Sequence, residues 1–67
     1  MTVARVTEIS ATSDKSFEDA VNQGIDRASK TLRGVTGAWI KEQKVTVSGG
    51  SIASYQVNMM VSFVLDD

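Results

Sequence analysis

The spacing of apolar residues along this chain changes twice, and each change marks a new element. Between Thr2 and Ile9, Val3, Val6, Thr7 and Ile9 supply the β-branched character of a first strand. Ser10 to Lys15 is polar and is expected to form a loop. From Ser16 the period lengthens. Phe17, Val21, Ile25, Ala28 and Leu32 follow at helical spacings and trace one stripe of an amphipathic helix. Ser16 is the expected N-cap, Asp19 completes a variant capping box, and Glu18 suits the positive end of the dipole. Lys30 and Arg33 suit the negative end, and Gly34 is the expected stop. Counted from Ser16 to Arg33, the helix would be roughly 27 Å long.

From Val35 onward the period drops to two. Gly49-Gly50 reads as a two-residue hairpin turn that pairs Ser48 with Ser51. Uninterrupted, that register puts Ala38 and Ile40 on one face with Tyr55, Val57, Met59, Val61, Phe63 and Leu65. This face is the expected partner of the helix stripe, with Glu42 and Lys44 falling on it toward the hairpin tip. The opposite face takes Val35, Gly37, Trp39, Lys41, Gln43, Val45 and Val47 from one arm. Ile52, Ser54, Gln56, Asn58, Met60, Ser62 and Val64 join it from the other. In this register Trp39 lies opposite Met60, and Gln56 lies opposite Gln43. The element order is β-α-β-β, an α+β fold in a single domain spanning residues 1–67. One helix cannot cover both faces of the sheet, so self-association is expected to cover the rest.

Composition sharpens that expectation. A domain of 67 residues buries roughly 60% of the surface of its unfolded chain and is marginal alone. With no cysteine there is no disulfide or thiolate metal site, and with no histidine the usual general base and commonest metal ligand are missing. Oligomerisation is the remaining means of stabilisation. A net charge of −1 lacks the basic stripe that a nucleic-acid binder uses. No apolar run approaches the roughly 18 residues of a membrane span, and no signal-peptide pattern opens the chain. The expectation is a soluble, cytoplasmic protein that is not an enzyme, since nothing supplies an activated nucleophile or a tuned acid–base pair.

The uncovered face carries the candidate chemistry. Trp39, the single tryptophan, has two readings there: an anchor between subunits, or a stacking surface for a planar ligand. Gln56 and Asn58 are amides in mid-strand, able to donate and accept at the edge of a heteroaromatic ring. They suit an inter-subunit or solvated contact equally well. Asp66-Asp67 is a weak candidate for cation binding, as terminal acidic pairs are usually solvated. Thr12-Ser13-Asp14 lacks the glycines of a phosphate loop. No metal site is expected.

Several segments resemble one family in order and spacing. They are Ala4-Arg5-Val6-Thr7-Glu8, the run from Gly24 through Asp26-Arg27-Ala28 to Thr31-Leu32-Arg33, Ser54-Tyr55-Gln56-Val57, and Val61-Ser62-Phe63-Val64-Leu65-Asp66. Together they look like the dodecins, over nearly the whole chain. The resemblance implies a three-stranded antiparallel sheet partly wrapped around one helix. It also implies a hollow homododecamer that stores or sequesters a flavin, riboflavin or FMN, at inter-subunit sites. In the family pattern a tryptophan stacks on the flavin and a glutamine hydrogen-bonds its ring. The glutamine matches Gln56. The tryptophan position, aligned without gaps, falls on Gly37, with Trp39 two residues later on the same face and ~7 Å away. Either Trp39 stacks in a shifted pocket, or this member is a shell that has lost flavin and packs subunits or binds another small molecule or ions. The basic residue of some coenzyme A binders is replaced here in the region of Val64, so coenzyme A is not expected.

Overall fold

The computed structural model describes residues 2–65. Strand β1 (Ala4–Ser13) leads into helix α1 (Phe17–Thr31), followed by strands β2 (Val35–Ser48) and β3 (Ser51–Val64). The sheet order is β1-β3-β2 and both pairings are antiparallel, so β3 lies in the middle. The expected β-α-β-β order stands. The expected loop does not: residues 10–13 continue β1, where Ser10 pairs with Asn58 and Ser13 with Tyr55. Ile9 and Ala11 are half-buried while Ser10 and Thr12 are exposed, an alternation that the polarity of the segment conceals.

The helix begins as expected, with Ser16 Oγ accepting from the Asp19 amide at 2.9 Å. It ends earlier than expected. Leu32 is already extended, at φ −112° and ψ 135°. Arg33 therefore lies beyond the last turn, and the 15 helical residues measure roughly 22 Å. The deepest helical positions are small ones, Ala20, Gly24 and Ala28, flanked by half-buried Phe17, Val21 and Ile25. Small residues four apart let the helix axis approach the sheet closely. At Gly24 an added Cβ would come within 2.4 Å of Met59 Cε and 3.2 Å of Ala11 Cβ. Val57, Met59 and Val61 of β3 are fully buried beneath it. Phe17 packs edge-on to Tyr55, with ring centroids 5.1 Å apart, and ties the first turn of the helix to β3.

The long axis of the chain measures 51 Å, more than twice the length of the helix. The far half of the hairpin therefore extends past it, and β2 is exposed at every position after Val35. The tip turns through Gly49 and Gly50 with φ of 59° and 80°, the doubly left-handed turn that matches strand twist, and Ser48 pairs with Ser51 as expected.

A second tie joins β1 to the helix. Asp19 Oδ2 accepts from Ser13 Oγ and from Gln23 Nε2, both at 2.6 Å. The Ser13 hydroxyl has the largest influence on the Asp19 carboxyl; desolvation comes second and opposes it, and Gln23 and the nearby Lys15 charge help hold the group below its ordinary value of 3.8.

The packing and this tie each carry a measurable consequence. Met59→Ala should cost about 2–5 kcal/mol, and Met59→Leu less than about 1.5 kcal/mol, as measured by urea unfolding. Because the folded state lowers the Asp19 pKa, its contribution to stability is complete above 3.8 and is lost as pH falls below that value through the folded pKa. Asp19→Asn should flatten the acid limb of a melting-temperature profile. A profile identical to wild type would show that Asp19 does not set it.

Candidate functional site

The hairpin register changes three times, and these changes decide which side chains meet on the face away from the helix. Gly37 pairs with Ser62, Ala38 with Val61, Trp39 with Met60 and Ile40 with Met59. The next pair is Glu42 with Asn58, leaving Lys41 as an extra residue on β2. The offset lasts through Thr46 and Ser54 and is reversed before Val47 and Ile52, where Ala53 is the extra residue on β3. A third shift, at Thr36, pairs Val35 with Phe63.

A bulged residue inverts the facing of the residues beyond it. Between the bulges, Glu42, Lys44 and Thr46 therefore share a face with Asn58, Gln56 and Ser54, not with the helix. Gln43 and Val45 turn to the helix side. The assignment of Glu42 and Lys44 to the helix face is thus corrected, as is that of Gln43, Val45, Val47, Ile52 and Val35 to the open face. Gln56 lies opposite Lys44, not Gln43. Side-chain contacts agree. Asn58 Nδ2 donates to Glu42 Oε1 at 2.8 Å, and the hydroxyls of Thr46 and Ser54 share a short hydrogen bond.

This open face carries a connected polar row. Gln56 Nε2 donates to Ser10 Oγ at 2.9 Å and approaches Asn58 Oδ1 at 3.4 Å. Lys41, on this face as expected, reaches across β3 to Glu8 Oε1 at 3.2 Å. Trp39 lies beside Met60, with 53% of its surface exposed. Gly37 lies one pair further on along the same face, and an added Cβ there would meet only Ser62 Oγ, at 3.4 Å. That is ordinary contact, so the backbone at residue 37 leaves room for a side chain.

Of the candidate residues, the fold brings Gln56 and Asn58 together and puts Trp39 and Gly37 on the same face, but at a distance. Four residues of β3 separate Gln56 from Met60, the partner of Trp39, and six separate it from Ser62, the partner of Gly37. These are roughly 13 Å and 20 Å along the strand. The cleft lined by Glu42, Gln43, Lys44, Gln56 and Asn58 holds about 130 Å³. That is well below the roughly 300 Å³ at which small-molecule pockets begin. Within one chain Trp39 and Gln56 do not meet.

Ser10 and Glu42 join this face without any signal in the apolar pattern, whereas the period-two spacing places Lys41 on it. Ser10 falls in the segment expected as a loop. The run Lys41-Glu42-Gln43-Lys44 contains four polar residues in succession, so no apolar alternation marks the break in phase. Among the described residues, no group of three or more acidic side chains is placed to hold a metal ion. Asp66 and Asp67 lie outside the described residues. No described helix is long and apolar enough to cross a membrane.

This single helix held in a three-stranded antiparallel sheet, with an open face bearing an aromatic and an amide row, defines a class of small α+β proteins. The chain belongs to the dodecin family, whose model matches residues 3–66. It is 32% identical to the dodecin of Thermus thermophilus over 65 residues, 97% of this chain and 94% of the relative. The dodecin of Streptomyces davaonensis superposes with a TM-score of 0.93 at 38% identity, covering 98% of this chain and 97% of that one. A calcium dodecin of Mycobacterium tuberculosis, described as having a novel calcium-binding site, superposes with a TM-score of 0.82 at 31% identity, covering 96% and 91%.

The Lys41–Glu8 pair is about half exposed at both ends. Lys41→Ala should therefore lower stability by less than about 1 kcal/mol, with the difference shrinking further in high salt. Chemical denaturation at two salt concentrations would check this.

Proposed function

We propose that this protein binds and sequesters a flavin, riboflavin or FMN, at sites between subunits of a homododecamer, as a binding protein and not an enzyme. The observation that carries this reading is the separation of the exposed Trp39 from Gln56 on one open sheet face. A planar ligand stacked on Trp39 of one copy can meet the amide row of another, and assembly would cover the face that the single helix leaves bare. The indole offers an apolar, electron-rich plane for stacking, and Gln56 and Asn58 offer polar contacts to a ring edge. Family membership supports the same reading, because the resemblance implies both the assembly and a glutamine on the ring.

A second reading rests on Gly37. The family's stacking position carries no side chain here, so the chain would form a shell without flavin, with Trp39 as a packing contact or the shell taking another small molecule or ions.

Native mass spectrometry after incubation with riboflavin and FMN separates the two. Flavin-loaded twelve-subunit particles are expected, and empty ones would select the second reading. Trp39→Ala should weaken flavin binding at least tenfold, read by recovery of flavin fluorescence, with assembly retained. Undiminished affinity in that variant would remove Trp39 from the stacking role.

A further inference from the structure

The amide row on the open face has a direction, and a charge sets it. Asn58 Nδ2 donates to Glu42 Oε1. A carboxylate has only acceptors to offer, so the NH₂ end of the Asn58 amide must face β2. Its carbonyl Oδ1 then faces Gln56. That oxygen can only accept, so Gln56 must turn its own NH₂ end toward it, at 3.4 Å. The same NH₂ group gives a hydrogen to Ser10 Oγ at 2.9 Å. Both hydrogens of the Gln56 amide are thus committed within the row. Its carbonyl Oε1 remains the end available to a ligand. Lys44, opposite Gln56 in the register, is a donor only and cannot accept from that NH₂ group, so it cannot reverse the row.

We propose that Glu42 is a positioning residue that polarises the Asn58–Gln56 row so that Gln56 presents a hydrogen-bond acceptor. The ligand class this selects is a planar ring whose edge carries an N–H donor, a cyclic imide or lactam, and it discriminates against the same ring alkylated at that nitrogen. This role for Glu42 rests on the flavin-binding reading and adds a specificity determinant to it. It depends on the Lys41 bulge, because in an unbulged strand Glu42 would face the helix side and Lys41, a donor only, would lie opposite Asn58 instead.

The test compares riboflavin with riboflavin methylated at the imide nitrogen. Both are titrated into the assembled wild-type protein and into Glu42→Gln and Glu42→Asp. Wild type should prefer the unmethylated flavin roughly tenfold, the value of about one hydrogen bond. Glutamine at position 42 can donate or accept, so the amides lose their fixed direction and the preference should fall toward unity. Glu42→Asp should restore it in part, because a shorter carboxylate still only accepts. A purely structural role for Glu42 would lower both affinities together and leave their ratio unchanged, and that result overturns the proposal. So does a wild-type ratio near one with flavin bound, an outcome that leaves the flavin reading intact and needs no variant to fold. A wild-type protein that binds neither flavin overturns both.

Discussion

The close approach of helix α1 to strand β3 is the contact on which the rest of the molecule depends. It is made by the smallest side chains of the helix, Ala20, Gly24 and Ala28, over Val57, Met59 and Val61. A methionine end occupying the space of a missing Cβ is a tight fit, and it fixes both the height and the position of the helix along the sheet. Since the helix is seated on the central strand and is less than half as long as the molecule, it leaves the far hairpin and the entire reverse face without cover. The open face is thus a direct product of the core.

On that face the chemistry is arranged by backbone irregularity more than by composition. An extra residue at Lys41 turns two successive charged side chains outward, one toward Glu8 and one toward Asn58. In a regular strand these contacts would lie on opposite faces. Bulges commonly re-aim side chains where a sheet does something other than pack. Here the re-aimed group is the only charge hydrogen-bonded to the amide row among the described residues.

The elements with an unbroken period were legible in the sequence. The helix stripe, the Ser16 cap, the Gly49-Gly50 turn and the pairing of Trp39 with Met60 all come from spacing and turn chemistry. Two kinds of feature were not. The second half of β1 is built from serine, alanine and threonine, whose alternation is real but weak in polarity. The bulge at Lys41 lies in a polar run, and it swings Val45 and Val47 to the other face together, so the alternation beyond it stays regular and the change of phase leaves little mark. Within the candidate site, Trp39 and Gln56 could be placed on the open face from spacing alone. Glu42 could not, because its facing is decided by Lys41 and not by anything at position 42.

The bulges at Lys41 and Ala53 have opposite senses, so the offset opened by one is closed by the other. The pairing at the tip and the pairing at Trp39 keep the same frame, and only the stretch between them is offset by one residue. For a lineage diverging by insertion and deletion, the two extra residues are therefore expendable points in the chain. Neither has a partner across the ladder, so losing Lys41 or Ala53 would leave every other pair in place. Glu42 would then follow Ile40 directly and would still face Asn58 from the open side. Only the reach of Lys41 to Glu8 would be lost, so relatives differing in length by a residue at these points could keep the same amide row.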